Sequence, residues 1–200
     1  MRKKRGFVGG AVYHVTSRTN DKKRLFGDRL GKKILLVTLR NAKDRFGFRL
    51  FNFCIMPNHI HLLIQPGDGG DLSRIMHWVK TNSSKWYNGV RGSSGHVWGN
   101  RYFARVVRSP EDYFTVMGYI DRNPVKAGLA YAVGVWEVSG AFHILHGRKE
   151  LVDYDEFTEW AYARERLLLP DLRYGSGSYR DAARQKRCLA PLGVGLPICR

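Results

Sequence analysis

Apolar residues recur along the chain with two different periods, and each change of period marks a new element. Between Leu30 and Phe46 they fall at 30, 34, 35, 39, 42 and 46, with Lys32, Lys33, Arg40 and Lys43 between them, which predicts a helix with a cationic outer side. A second helical stripe runs through Leu72, Ile75, Met76, Val79, Ser83 and Trp86, leaving Arg74, Lys80 and Lys85 for solvent. Strand signals differ in kind: 11–17 is β-branched and aromatic, and Phe48 to Met56 and His59 to Gln65 are joined tightly at Pro57-Asn58. Arg101 to Arg108 predicts a fourth strand. Ser109-Pro110-Glu111-Asp112 is a helix start, with a hydroxyl cap, proline in the first turn and acids beside it. That third helix is expected to end near Asn123, because Pro124 disfavours helical geometry in the residue before it. The order strand, helix, strand, strand, helix, strand, helix predicts an α+β fold: a ferredoxin-like four-stranded antiparallel sheet with helices packed mainly on one face.

The third strand carries the most distinctive chemistry. His59 and His61 lie at i and i+2, so a strand points both imidazoles to one face while Ile60 and Leu62 point to the other. One divalent cation could be held by both rings, and an amide or carboxylate from elsewhere could complete its shell; a pair of half-exposed histidines on a sheet face is the plain alternative. On the third helix, Tyr113, Val116, Met117 and Ile120 form the buried stripe and Tyr119 lies at its edge. Asn123 follows one turn later, so a phenol and an amide are presented together. Tyr113, Tyr87 and Tyr102 have Met117, Arg91 and Val106 at i+4 instead.

Composition sharpens this picture. The chain has 200 residues, enough for one real core, and 34 Lys and Arg against 17 Asp and Glu give a net charge of +17. A field of that size attracts polyanions, nucleic acid before anionic membrane surfaces. Arg2-Lys3-Lys4-Arg5 leads into Gly6 rather than an apolar run, and no stretch is long enough to span a membrane. Cys54, Cys188 and Cys199 have no metal or disulfide spacing, and reduced thiols suit a cytoplasmic location.

Three segments together resemble a known family: Met56-Pro57-Asn58-His59-Ile60-His61-Leu62-Leu63-Ile64, Trp98-Gly99-Asn100-Arg101-Tyr102-Phe103-Ala104-Arg105-Val106-Val107-Arg108, and Tyr119-Ile120-Asp121-Arg122-Asn123-Pro124-Val125-Lys126-Ala127-Gly128-Leu129. They are similar to the blocks of the REP-associated tyrosine transposases, single-tyrosine HUH endonucleases related to the transposases of the smallest bacterial insertion sequences. The resemblance covers about residues 7 to 145. It implies that His59, His61 and Asn123 bind a divalent metal, Mg²⁺ or Mn²⁺, and that Tyr119 is the nucleophile of a single-strand DNA endonuclease and strand transferase forming a 5′-phosphotyrosine at hairpin-flanked DNA. Gly99 stands where many relatives carry Gln. A non-catalytic hairpin-binding module and an HUH replication initiator or relaxase are the alternatives.

Chemistry independent of the resemblance agrees with the combination. A phosphodiester repels anionic nucleophiles, which a cation offsets, and a phenol that attacks must lose its proton. A phosphotyrosine keeps the bond energy, so strands can be rejoined without a nucleotide cofactor. Arg101, Tyr102, Arg105 and Arg108 in the fourth strand, and Arg18, Lys22, Lys23 and Arg24 after the first, are the candidate DNA contacts; a charge-guarded edge strand is the other reading of the first group. The expected partner is single-stranded and hairpin DNA, with no membrane, and the chain acts as a monomer or homodimer. Residues 1–148 are read as the catalytic domain and 149–200 as a helical extension with a basic tail. An acidic amphipathic helix is expected from Asp153, Asp155, Glu156, Glu159 and Glu165 with Leu151, Phe157, Trp160 and Ala161; docked in a basic cleft it would be autoinhibitory.

Overall fold

The structure is a computed structural model describing residues 8–154 together with Thr158 and Tyr162. Its elements are β1 (Tyr13–Arg18), α1 (Arg29–Phe46), β2 (Arg49–Met56), β3 (His59–Gln65), α2 (Leu72–Arg91), β4 (Phe103–Val106), α3 (Pro110–Lys126) and α4 (Gly140–Leu145). The strands form one antiparallel sheet in the order β2-β3-β1-β4. This is the ferredoxin-like α+β arrangement that the order of periods predicts, except that helices cover both faces rather than mainly one, because α3 packs on the side opposite α1 and α2.

Local signals set the helix ends. Asp28 caps α1 by accepting from the Gly31 N–H at 2.8 Å, Asp71 caps α2 through the Ser73 N–H, and Ser109 caps α3 through the Asp112 N–H. Gly47 and Gly92 close α1 and α2 in the left-handed region, at φ 60° and 58°.

Strand alternation sorts the sheet into two unlike faces. Val15, Ile60, Leu62 and Ile64 point one way and are fully buried, and α1 and α2 bring their buried stripes to that side. His14 and Thr16 share the other face with His61, Cys54 and Asn52, as the pairings Thr16↔His61, Cys54↔His61 and Asn52↔Leu63 require. α3 lies across this second face: Asn52 Nδ2 donates to Asp121 Oδ1 at 2.8 Å. A register shift between Leu50 and Asn52 frees Phe51 to meet the Tyr113 ring of α3 at 5.7 Å. The chain from Val138 to Ser139 then pairs along the outer edge of β2, where the Ile55 N–H donates to Val138 O. Gly140 must be glycine, because a Cβ there would stand 2.1 Å from Asn52 Oδ1.

Three further expectations need correction, and one element was not foreseen. The fourth strand is only Phe103–Val106, so Arg101, Tyr102 and Arg108 flank it rather than belong to it. Trp86, placed on the buried stripe of α2, is 43% exposed. α4 carries too short an apolar pattern to be foreseen. Most important, α3 continues through Pro124 to Lys126. Proline removes one N–H, its ring is buried, and the next turn closes with Ala127 N–H to Asn123 O at 3.0 Å and Leu129 N–H to Pro124 O at 2.8 Å. Burial outweighs the local preference, and Asn123 stays on a regular turn.

Leu151 and Val152 are buried in the main core, and Asp153 bridges Lys43 at 2.8 Å and accepts from the Leu50 N–H at 2.7 Å. The rest of the acidic helix, apart from Thr158 and Tyr162, the 175–178 linker, the basic tail, Cys188 and Cys199 lie outside the described residues. No helix among the described residues is long and apolar enough to cross a membrane.

Candidate active site

β3 delivers two imidazoles and α3 delivers the phenol to the same place. The His59 and His61 ring centroids are 4.9 Å apart, and the Tyr119 ring stands edge-on to His61 at 5.4 Å. Tyr119 is 43% exposed while its helix neighbours Ile120 and Gly118 are buried, so the residue stands at the rim of the packed face. Asn123 lies one turn on: its Nδ2 donates to the Tyr119 carbonyl at 3.2 Å, and its side chain acts on His59 so as to favour that ring's protonated form. His59 Nδ1 sits 2.7 Å from Asn58 Oδ1 in the β2–β3 turn. All four residues of the predicted constellation therefore converge.

A third imidazole joins them. His14 on β1 stacks on His61 with centroids 5.3 Å apart and meets Tyr119 at 5.8 Å. Its Nε2 and the Thr16 hydroxyl are each 3.1 Å from His61 Nδ1. The opposite nitrogen, His61 Nε2, is buried and has no hydrogen-bond partner. Such an orphan is costly unless a ligand completes it. Burial pushes the His61 pKa down to about 3, helped by His59, His14 and Arg18, and pushes His14 down to about 4. His59 is lowered by burial and then by Arg18, against the opposing effect of Asn123. The rings are thus neutral at physiological pH, with lone pairs available to a cation. With Nε2 kept as a lone pair, His61 carries its proton on Nδ1 and donates it to Thr16 Oγ1 or His14 Nε2, which fixes the ring's orientation. The donor set, two neutral imidazoles and an amide, leaves a divalent ion its charge and open positions. Sequence reasoning missed His14 and Thr16, although they alternate in β1 in phase with His59 and His61 once the strands pair.

The predicted DNA contacts divide. Arg18 ends β1 directly opposite His59. Lys22 and Lys23 follow on the exposed loop, which is tied to the β2–β3 turn by Thr19 N–H to Asn58 O at 2.9 Å and Phe26 N–H to Pro57 O at 2.9 Å; Arg24 lines a small cleft with Asp28 and Arg91. Arg105 is engaged by Asp112 in a two-pronged ion pair, at 2.8 and 2.9 Å, so its charge is largely answered within the fold. Arg108 is exposed beside it. Tyr102 is buried, its hydroxyl 3.1 Å from Ser73 Oγ, so it serves packing more than contact. The available aromatic is its neighbour Phe103, 61% exposed and opposite Thr16 on the histidine face. Arg101 lies away from this face, beside α2.

Comparison with known proteins matches this geometry to a family. The model of the family described as "Transposase IS200 like" matches residues 8–123. A Haemophilus influenzae protein carried under the provisional name REP-associated tyrosine transposase is 26% identical over 151 residues, covering 70% of this chain and 84% of its own. Among solved structures, a REP-associated tyrosine transposase bound to a REP hairpin superposes with a TM-score of 0.62 at 22% identity, covering 78% of this chain and 92% of that one.

Proposed function

This chain belongs to the IS200-like transposase family, and we propose that it cuts and rejoins single-stranded DNA through Tyr119 at hairpin-flanked, REP-like sites. As a transposase it is a DNA-cleaving enzyme; the phosphotyrosine chemistry and the residue roles are our reading. The observation that carries it is the exposed Tyr119 phenol set edge-on to His61, whose buried Nε2 is unpartnered. The name of the Haemophilus influenzae relative, and the hairpin bound to the structural neighbour, support the substrate class.

The reaction follows from the placement of groups. The Tyr119 oxygen attacks a phosphodiester phosphorus, a P–O bond to tyrosine forms, the bond to the 3′ oxygen breaks, and the strand leaves with a free 3′-hydroxyl. The phenolic proton departs to water at the exposed rim, while the 3′ oxygen takes one up. Reversal by another 3′-hydroxyl rejoins DNA with no external energy source. His59, His61 and Asn123 fit as the holders of Mg²⁺ or Mn²⁺. When bound, such an ion supplies the positive charge that offsets repulsion between phenolate and phosphodiester. Asn123 ties that set to the nucleophile's own helix. Arg18 adds a fixed cation at the His59 end, Lys126 Nζ stands 6.0 Å over the Tyr119 ring, and Phe103 offers a stacking surface for an unstacked base. Lys22, Lys23, Arg24, Arg101 and Arg108 extend the cationic surface along which DNA would lie. Ligands and nucleophile come from one chain, which supports cleavage by a monomer.

Incubating the protein with a labelled REP-like oligonucleotide and Mn²⁺ should give a denaturant-resistant adduct, lost in Tyr119→Phe and on chelation. Tight hairpin binding with no adduct in the parent chain would instead indicate a recognition module.

A further inference from the structure

On the side of the molecule where Arg101 lies, α2 and the 95–102 segment enclose a cleft of about 670 Å³. His77, Lys80 and Lys85 line one wall on successive turns of α2, and His96, Gly99 and Arg101 line the other. No carboxylate is among its lining residues. The cleft is braced by fixed bonds: Lys80 Nζ donates to Asn100 O at 2.9 Å, Trp98 Nε1 to Ser83 Oγ at 2.9 Å, and the Tyr102 and Ser73 hydroxyls meet at 3.1 Å. Lys80 is half-buried and its pKa is lowered by that burial, so an anion within reach would relieve a standing cost.

The cleft is joined to the histidine site by main chain. The Gly99 N–H donates to Arg18 O at 3.0 Å, Thr19 and Trp98 form a bridge, and Arg18 pairs across the sheet with His59. A Cβ on Gly99 would meet Thr19 O at 3.3 Å, which shows how closely the cleft wall lies against the end of β1. Its volume is within the range that holds a ligand of nucleotide size, roughly 300–1,000 Å³.

We propose that this cleft is a nucleotide subsite: it receives an unstacked nucleotide of the single strand adjoining the scissile phosphate, with Lys80, Lys85 and Arg101 facing phosphate and His77 and His96 flanking the base. The assignment rests on the DNA-cleavage reading above, and its test is separable from that reading. Fluorescence anisotropy is measured with oligo(dT) and with a blunt DNA hairpin lacking flanks. In the Lys80→Gln/Lys85→Gln double variant, oligo(dT) affinity should fall about tenfold, the scale of two lost phosphate contacts, while hairpin affinity changes by less than about twofold. An equal fall on both probes, or no fall on either, overturns the subsite. In the unaltered chain, oligo(dT) carrying iodouracil should photocrosslink to peptides from 73–88 or 95–102; crosslinks confined elsewhere also overturn it. Adduct formation through Tyr119 is scored separately on flanked hairpins, so a parent chain that never forms the adduct refutes the reaction and leaves the oligo(dT) result to judge the cleft.

Discussion

The two faces of β3 obey opposite rules. Ile60, Leu62 and Ile64 on one face are fully buried among hydrocarbon, each worth roughly 1.5–3 kcal/mol of burial. His61, one residue out of phase, carries a buried Nε2 that the fold does not use. A core residue is exchangeable for another of like volume and polarity. A site residue is fixed by its lone pairs and donors, and the stability it contributes is incidental. The strand shows how little separates these regimes, since a one-residue slip would exchange the sets.

Substitution on each face should therefore move different measurements. Leu62→Ala should cost about 3–4 kcal/mol of unfolding free energy by urea titration, the usual scale for a fully buried leucine, and abolish DNA cleavage only by unfolding the chain. Tyr119→Phe, at an exposed rim, should leave stability within about 0.5 kcal/mol while eliminating the adduct. If Leu62→Ala left stability intact, or Tyr119→Phe unfolded the protein, the two-face distinction would be wrong.

His61→Leu tests the boundary itself. It removes a buried nitrogen without a partner but strands Thr16 Oγ1 and His14 Nε2, which now face His61 Nδ1 at 3.1 Å. The opposing terms are each about 1–2 kcal/mol, so unfolding free energy should change by less than about 1.5 kcal/mol while Mn²⁺-dependent cleavage is lost. The double variant His61→Leu/His14→Leu should recover stability by removing the second orphan. A further drop would show that the imidazole pair is structural.

Much of this contrast was legible in the residues. The out-of-phase histidines, the Tyr119–Asn123 turn and the capped start of α3 are local patterns, and local patterns can be read from one segment. Three things could not be. His14 becomes a site residue only when β1 pairs beside β3, and Asp121 becomes buried only when α3 crosses the histidine face. Of the adjacent aromatics Tyr102 and Phe103 only the second faces solvent, because which of the two does so depends on the sheet's phase at its edge. Pro124 misled for the related reason that a local backbone preference was outweighed by burial at a helix end.

Asp121 leads to the next test. Its carboxylate accepts from Asn52 Nδ2 at 2.8 Å and from the buried Tyr162 hydroxyl at 2.6 Å, two residues along α3 from both Tyr119 and Asn123 but on the opposite side. Polar groups on the histidine face thus hold the nucleophile's helix, as hydrocarbon holds α1 and α2. Tyr162→Phe should cost about 1.5–3 kcal/mol, the scale of a hydrogen bond to a charged acceptor, and slow cleavage more than it weakens hairpin binding. Truncation before Leu151 would remove this bond together with Leu151 and Val152 from the core, so loss of activity on truncation would not by itself reveal a regulatory tail. An unchanged cleavage rate in Tyr162→Phe would show that α3 is positioned by its apolar contacts alone.

The last effect expected concerns acid. His143 on α4 is buried against the Phe53 ring at 5.2 Å, has an unpartnered Nδ1, and has its pKa pushed down to about 4, mainly by burial and then by Arg148. Its unfolded-state pKa is about 6.5. Between those values the unfolded chain binds a proton that the native chain refuses, so stability is full above about pH 6.5 and declines as pH falls toward 4. By about pH 4.5 the loss from this residue should be on the order of 2 kcal/mol. His143→Phe keeps a ring against Phe53 and cannot take up the proton, so its unfolding free energy should fall less steeply over the same range. Because His143 lies off the histidine site, Tyr119 adduct formation at neutral pH should be unaltered in that variant. Parallel acid profiles for the parent and the variant would show that His143 does not carry the effect, and would place the acid sensitivity with the imidazoles of the active face.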